Sequence, residues 1–293
     1  MAQPRHAVTD LALAQRLERA EGSSNAAFVE SRALHQPDIG AQWRDVSGTM
    51  AMFDGVGSPL TQTFGLGLFT AVDSSQLDTI ESFFAERGAD TFHETCPLAG
   101  VNLLTMLPDR SYRPIEQSTV LWQPLVDAAH ESPAANTLVA RRIGADEVMR
   151  WAEVSADGWG ATAELADFMR NFGKVAGTTR GASCFVAELD SRVIGTAALN
   201  MHDGVALLAG ASTVPEFRGR GAQSLLLRTR LAFARESGCD VAMMAALPGS
   251  TSQTNAERQG FRIAYTRTKW QRAIESSSAT EVRPATDTID QAR

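Results

Sequence analysis

The sequence is poor in cysteine, has no long apolar run and carries no excess of positive charge. Only three of its 293 residues are cysteines, namely Cys96, Cys184 and Cys239. Because they are odd in number and widely spaced, they predict neither a disulfide framework nor a metal site, and they favour a reducing, cytoplasmic location. No stretch approaches the roughly 18 consecutive apolar residues of a membrane-spanning helix. The charged N-terminus is not typical of a signal peptide.

The charge balance is acidic. Lys and Arg number 27 against 34 Asp and Glu, which gives a formal net charge of −7. Overall electrostatic attraction to nucleic acid or to an anionic membrane is therefore not expected. A phosphate group would have to be bound by a local site that works against the overall charge.

Length and composition predict an ordinary globular protein of two domains. Apolar residues make up 44% of the chain and charged residues 21%, and a length of 293 residues accommodates two hydrophobic cores. The small, polar, proline-containing segment 126–136 is interpreted as a linker. We therefore expect one domain over 1–127, a second over 136–272, and a polar tail over 273–293.

Periodicity and turn signals predict alternating helices and strands. Helices are expected over 8–21, 74–87, 100–107, 145–154, 163–172, 221–236 and 252–259. Strands are expected in 48–69 and over 91–96, 112–122, 137–143, 183–189, 193–201, 205–214, 240–247 and 261–272. The glycine- and threonine-rich segment 173–181 is predicted to be a loop. Ser74 or Ser75 is expected to cap the second helix, and Asp203 and Gly204 suit a type I′ hairpin turn.

An internal repeat indicates that one fold occurs twice. Segments 83–124 and 232–272 share an order of features: a helix end, Gly, Asp, a strand, Pro, a short helix and a long strand that ends in Trp-Gln. The chain then contains two copies of one α/β unit.

The segment that indicates chemistry is the loop before the helix at 221–236. Its glycines, Gly219 and Gly221, allow a ligand to approach the backbone closely. The first N–H groups of a helix lack internal partners and lie at the positive end of its dipole, so they bind a diphosphate readily. The candidate binding residues are Arg218, Gly219, Arg220, Gly221, Ala222, Gln223 and Ser224.

The ordered set of a Val-Pro strand end, Arg-Gly-Arg-Gly, a leucine-rich helix, a strand and then Asn255 and Gly260-Phe261 resembles the GNAT superfamily of N-acetyltransferases. The resemblance covers about 136–272. The family's loop pattern is Arg or Gln, two residues, Gly, one residue, then Gly or Ala; Arg218 and Gly221 match, whereas Gln223 departs at the last position. Since Gln leaves the backbone donors in place, we expect binding of acetyl-CoA to survive.

The resemblance carries further implications. It implies an α/β fold of two GNAT-like mixed-sheet domains in tandem, of which the C-terminal one is intact. It also implies that Thr213 and Val214 offer backbone groups to the pantetheine arm and that Asn255 lies on the cofactor side. In the N-terminal copy, residues 70–75 replace the Arg-Gly loop with no glycine and one negative charge. We therefore expect a degenerate half that packs against the other, walls the acceptor pocket and does not bind acetyl-CoA in the usual way.

The catalytic acid and base are harder to predict. The strand at 205–214 carries none of the carboxylates common in the family, and Ala256 stands where many members have a tyrosine. Tyr265 is the candidate that protonates the leaving thiolate, with a plain core position as the alternative. Ser212 can order a water, His202 and Asp203 are explained by the hairpin turn, and a water relay stays open. Trp151 and Trp159 either flank an acceptor site or simply pack.

These residues predict an enzyme that acetylates an amine of a small molecule or peptide by direct transfer from acetyl-CoA, acting as a monomer or homodimer. No cysteine is placed for a ping-pong route. The alternative is a non-catalytic acyl-CoA-binding sensor or interaction module. A nucleotide-phosphate-binding domain of another class ranks lower, because it would require a P-loop lysine or a Rossmann acidic residue.

Overall fold

The computed structural model describes residues 9–125, 138–159 and 163–274, with the backbone alone for 163–165. The predicted linker 126–136 lies outside the described residues, as does the predicted tail beyond residue 274. The boundaries of the two predicted domains therefore remain a prediction.

Within the described residues the chain forms seven α-helices and eleven strands. The helices are α1 (Leu11–His35), α2 (Ser74–Ala85), α3 (Leu103–Asp109), α4 (Val148–Trp159), α5 (Ala163–Thr178), α6 (Ala222–Glu236) and α7 (Thr251–Arg258). The strands are β1 (Gln42–Val46), β2 (Thr49–Phe53), β3 (Gln62–Phe64), β4 (Thr91–Thr95), β5 (Arg113–Pro124), β6 (Leu138–Arg142), β7 (Ala182–Leu189), β8 (Arg192–His202), β9 (Val205–Thr213), β10 (Val241–Ala246) and β11 (Arg262–Arg272).

The described strands form one mixed sheet in the order β1-β2-β3-β4-β11-β5-β10-β9-β8-β7-β6. The pairs β3–β4 and β9–β10 are parallel, and the other neighbours are antiparallel. The elements β1-β2-β3-α2-β4-α3-β5 recur as β7-β8-β9-α6-β10-α7-β11. The predicted α/β fold with a repeated unit is therefore confirmed, although the two units share one sheet.

The two halves exchange their last strands at the centre of this sheet. Strand β11 from the C-terminal half pairs with β4, whereas β5 from the N-terminal half pairs with β10. The repeated Trp-Gln pairs occupy equivalent registers: Trp122 lies opposite Met243 of β10, and Trp270 lies opposite His93 of β4. The exchange was not predicted, because pairing partners this distant in sequence leave no local signal.

Helix α1 joins the two halves. It continues well beyond the predicted end at residue 21 and contacts β1, β2 and β3 as well as β8, β9 and α5. Gly22, in its middle, lets the helix approach β2 closely, since a Cβ there would lie 2.8 Å from the sulfur of Met50. Gly22 therefore permits close packing within a continuous helix.

The predicted loop at 173–181 is mostly helix, because α5 runs through Thr178. Its glycines face α4. A Cβ on Gly173 would lie 3.1 Å from that of Ala152, and one on Gly177 would lie 2.6 Å from Val148. The cap of α2 also differs from the prediction, since Asp73 accepts a hydrogen bond from the N–H of Gln76. Its carboxylate takes the place expected for Ser74 or Ser75.

Candidate functional site

The loop over 214–221 ends in an open anion-binding geometry at the start of α6. Gly221 precedes the helix with φ of 85° and offers no side-chain cap. Gly219 is also left-handed, and no atom lies within 4 Å of the Cβ position at either glycine. Among the described residues, no hydrogen bond is found for the backbone N–H groups of 219–224. The predicted cluster of free donors is therefore present.

The two arginines of this loop behave differently. The Nη2 of Arg218 donates to the carbonyl of Gly158 at 3.1 Å, and its Nε donates to that of Thr213 at 3.4 Å. Arg218 thus ties the end of α4 to the end of β9. The guanidinium of Arg220 lies 5.4 Å from the ring centre of Phe217, at the exposed rim. Both charges stay beside the free donors.

The departure from the family pattern at Gln223 has a structural explanation. Its Nε2 donates to the carbonyl of Ser212 at 2.6 Å and to Oγ1 of Thr213 at 2.8 Å. The side chain therefore turns back towards β9 and leaves the loop clear. The N–H of Val214 already donates to the carbonyl of Ile194 at 3.0 Å, so this predicted contact for a pantetheine arm is engaged within the protein.

Strands β9 and β10 separate next to this loop. Their pairing covers Val205–Val241 to Leu207–Met243 and then ends, so residues 208–213 of β9 have no strand partner on that edge. A β-bulge follows at once, because Ala198 pairs with Ala209 whereas Thr196 pairs with Ser212. A bulge of this kind redirects backbone groups out of the ladder. The separation opens a gap through the sheet.

A cavity of about 320 Å³, here called the cofactor cavity, lies at this gap between α6 and α7. It brings together the predicted residues Gln223, Ser224 and Asn255 with the bulge at Ala209 and Gly210. The other predicted cofactor residues, over 213–214 and 218–222, lie at the end of β9, in the adjoining loop and at the start of α6, and are not part of its lining.

Arg230 is a member of the cofactor cavity that the sequence did not single out. The Nη1 of this buried side chain donates to the carbonyls of Ala198 at 2.8 Å and Ala209 at 3.3 Å, on the two strands that form the bulge. Burial lowers the pKa of its guanidinium to about 9. One signal was available, since Arg230 lies on the same helical face as Leu226, Leu227 and Ala234.

A second cavity, of about 250 Å³ and here called the acceptor cavity, meets the first one. The two share Trp159, Ala209 and Gly210. The acceptor cavity is enclosed by α1, α4, α5 and the strands β8 and β9. Helix α1 contributes Ser24, Asn25 and Phe28. The N-terminal half therefore lines this cavity.

The two tryptophans considered for an acceptor site both line this cavity. Trp151 is buried and its Nε1 donates to the carbonyl of Phe185 at 3.1 Å, which fixes the ring. Trp159 is 40% exposed and stands at the junction of the two cavities. Trp151 is thus both packed and part of the lining of one cavity, whereas Trp159 belongs to the lining of both cavities.

Tyr265 lies away from these cavities. Its hydroxyl donates to Glu18 Oε1 at 2.8 Å in the buried contact between β11 and α1. Burial, together with the Glu18 carboxylate, raises the pKa of this phenol. Tyr265 lines neither the cofactor cavity nor the acceptor cavity, so the geometry favours the structural alternative for it.

The other acid–base candidates are also accounted for. Ser212 is buried and hydrogen bonded to Thr196 at 2.9 Å, and it donates to the carbonyl of Ser155. His202 lies 3.3 Å from the hydroxyl of Ser23. Asp203 and Gly204 have φ of 47° and 75°, as a type I′ turn requires. The predicted hairpin turn is confirmed.

Sequence comparison matches one segment of the chain to a family model. Residues 145–261 match the model of the acetyltransferase (GNAT) family. This segment contains the loop, α6, the separated strands and Asn255, so the likeness to that family covers the candidate site. No curated protein has a sequence similar enough to count as a relative.

Solved structures share the fold over most of the chain. A GCN5-related N-acetyltransferase from Kribbella flavida is 17% identical, with a TM-score of 0.57 over 84% of this chain and 95% of its own. One from Sphaerobacter thermophilus is 14% identical, with a TM-score of 0.52 over 95% and 100%. A tandem GNAT protein from the clavulanic acid biosynthesis pathway is 16% identical, with a TM-score of 0.50 over 69% and 70%. At these identities the likeness is one of fold.

Among the described residues, no helix is both long and apolar enough to cross a membrane. The same residues contain no group of three or more His, Cys, Asp or Glu arranged to hold a metal ion. The three cysteines are free and buried.

Proposed function

We propose that this chain is an acetyl-CoA-dependent N-acetyltransferase that transfers the acetyl group directly to an amine of a small molecule or peptide. The observation that carries the proposal is the meeting of two cavities at Ala209 and Gly210, one of them beside a loop of free backbone donors. Such an arrangement suits two ligands that approach one reaction point from opposite sides of the sheet.

The loop and α6 would hold the diphosphate of acetyl-CoA. The backbone N–H groups of 219–224 are unpaired among the described residues and lie at the positive end of the helix dipole. Arg218 and Arg220 add positive charge, in a chain that is acidic overall. We assign the continuation of the ligand to the cofactor cavity, beside Gln223, Ser224 and Asn255.

Acetyl-CoA would supply the acetyl thioester; an amide and a free thiol are the products. The chain's part is to orient the amine at Gly210 and to stabilise the negative charge that develops on the thioester oxygen. Backbone donors of β9 at the bulge are suited to this role, because β10 no longer pairs there. Arg230 holds the bulge in shape from α6.

We further propose that one chain binds one acetyl-CoA, within the domain expected over 136–272. The domain expected over 1–127 would contribute α1 to the acceptor side only. Its equivalent loop contains the acidic N-cap Asp73 in place of free donors.

The test is a pair of matched glycine variants. Gly221 precedes α6 and Gly238 follows it; both have positive φ, 85° and 87°, and open space at Cβ. Valine at either position introduces similar backbone strain, but only Gly221→Val crowds the proposed diphosphate site. By calorimetry with CoA, we expect Gly221→Val to weaken binding at least about 100-fold, roughly 3 kcal/mol, and Gly238→Val to bind like the unmodified protein. Equal affinity of the two variants for CoA would refute the proposed diphosphate site.

Thiol release over a broad panel of amines then separates the enzyme from the acyl-CoA sensor. Turnover that depends on both the amine and acetyl-CoA is expected. Tight binding of acetyl-CoA with no amine-dependent thiol release would favour the sensor. If neither CoA nor acetyl-CoA binds, both functions fall.

A further inference from the structure

Three cavities follow one another from the cofactor side to the far side of the acceptor site. The acceptor cavity shares Ala209 and Gly210 with the cofactor cavity, and it shares Ser24 and Asn200 with a third cavity of about 340 Å³. This third one, the outer cavity, is lined by ionisable residues among others, namely Glu30, Arg180 and His202. An acceptor that reaches Gly210 along this series would have its body in the acceptor cavity.

The walls of the acceptor cavity are aromatic and apolar. Phe28, Trp151, Trp159 and Phe172 provide four rings, and those of Phe28 and Phe172 are stacked with centres 4.5 Å apart. Leucine, methionine, alanine and glycine supply most of the remaining surface. These walls suit a flat, apolar ligand body.

The polar groups of the acceptor cavity are neutral. They are the hydroxyls of Ser24, Ser155 and Thr179 and the amides of Asn25 and Asn200. Within the described part of the chain, neither amide side chain makes a hydrogen bond, although both are half-buried. Two free amides at the far end of an apolar cavity match a neutral polar group on a ligand.

An apolar wall also selects the protonation state of the amine. Transfer of an ammonium ion from water into such surroundings is costly, so the amine enters as the free base. An alkylamine with a pKa of roughly 10, like that of lysine, must first lose its proton at neutral pH. An amine attached directly to an aromatic ring is already neutral there.

Resting on the proposed function, we propose that the acceptor is a weakly basic amine on a flat aromatic body that carries a neutral polar group at its far end. The amino group lies at Gly210, the ring lies against Trp151 and the stacked pair of Phe28 and Phe172, and the far end meets Asn25 and Asn200. Polyamines and charged peptides are excluded by the same walls.

The test uses three probes: 4-methoxyaniline, 2-phenylethylamine and spermidine. Calorimetry with CoA-saturated protein measures binding without turnover, and thiol release measures transfer. We expect 4-methoxyaniline to bind and to be acetylated at a rate that is constant from pH 6 to 8. The rate with 2-phenylethylamine should rise about tenfold per pH unit, following its free-base fraction, and spermidine should not bind.

Two variants of α5 provide the control. Phe172 lines the acceptor cavity, whereas Phe168, one turn earlier, is 39% exposed and does not. Phe172→Ala should weaken binding of 4-methoxyaniline about tenfold or more, and Phe168→Ala should change it less than twofold. Asn200→Asp, which replaces the amide donor expected to meet the methoxy oxygen with a carboxylate that can only accept, should weaken binding of 4-methoxyaniline.

The outcomes separate this inference from the function on which it rests. Binding or acetylation of spermidine in preference to 4-methoxyaniline would overturn the inference and leave the transferase intact. Equal effects of the two phenylalanine variants would overturn it as well. Failure of the protein to bind CoA at all would refute the proposed function first.

Discussion

The loop after β3 and the loop after β9 occupy the same place in the repeated order of elements, yet they use the following helix in opposite ways. After β9, residues 218–221 are exposed and the donors of α6 are free. After β3, Leu66 and Leu68 are buried, and the carboxylate of Asp73 accepts from the first turn of α2. One helix end thus offers its positive pole to a ligand, whereas the other neutralises it internally.

Two buried arginines show a second contrast between the halves: Arg267 forms buried ion pairs, whereas Arg230 donates to backbone carbonyls. Near β4 and β11, the guanidinium of Arg267 donates to Glu18 at 2.7 Å and to Glu21 at 2.7 Å, and Tyr265 donates to Glu18 as well. Burial opposes the charge of Arg267, but these carboxylates outweigh it and hold the pKa of the guanidinium well above its usual value. By contrast, the acceptors that buried Arg230 of the other half has among the described residues are all backbone carbonyls.

The largest effect is expected from Arg267→Met. Removal of one partner leaves the Glu18 carboxylate buried and uncompensated, which should lower the free energy of unfolding by about 3–5 kcal/mol. Denaturant unfolding measures this. The matched control is Arg16→Met, since Arg16 also joins α1 to the sheet, through the exposed Asp240, and should cost less than about 1 kcal/mol. Similar losses of unfolding free energy in both variants would show that the buried ion pairs of Arg267 stabilise the fold no more than the exposed pair of Arg16 does.

A smaller effect, on activity, is expected from Arg230→Met. The methionine keeps much of the packing but removes the donors to Ala198 and Ala209, so the bulge loses its support. We expect turnover to fall about 100-fold, as when a preorganised oxyanion donor is lost, and to fall by a larger factor than the affinity for CoA. Steady-state kinetics and calorimetry on one preparation test this. Unchanged turnover would mean that the bulge holds its shape without Arg230.

The smallest effect concerns His93, whose register equivalent in the other half is Met243. Burial lowers the pKa of His93 from 6.5 to about 3, so the unfolded state binds a proton that the folded state does not. The stability that depends on neutral His93 is fully present above pH 6.5 and is lost as the pH falls towards 3. At pH 5 the free energy of unfolding has fallen by about 2 kcal/mol for this reason.

His93→Met makes the two halves alike at this position and should remove that pH dependence. The measurement is the difference in unfolding free energy between the variant and the unmodified protein at pH 7.5 and at pH 5. We expect the variant to gain about 2 kcal/mol relative to the unmodified protein over this interval. A constant difference would show that His93 titrates normally in the folded state.

Features that depend on nearby residues could be predicted from the sequence. The Arg-Gly loop, the left-handed Gly221 and the Asp203–Gly204 turn each follow from local backbone requirements. The order of helices and strands followed from periodicity and from the repeated Trp-Gln endings. For these features, residue type and spacing contain the physical cause.

Features that depend on distant contacts could not. Gly173 and Gly177 are typical of a loop until α4 packs against them. Tyr265 is equally compatible with a catalytic or a core position until Glu18, far away in the sequence, is brought beside it. The contribution of α1 to the acceptor cavity and the burial of Arg230 likewise arise only once the two halves are assembled.

The exchange of β5 and β11 also sets the timing of folding during synthesis. Strand β4 is made early, but β11, which pairs with it on the side of the sheet centre, is the last of the described strands. At ribosomal rates of about 5–20 residues per second, roughly 170 residues separate the two strands by some 10 to 30 s. During this interval β4 and β5 present open edges, the kind of surface on which nascent chains aggregate. The N-terminal half is therefore begun first and finished last, and a stop codon just before β11 would leave both halves incomplete.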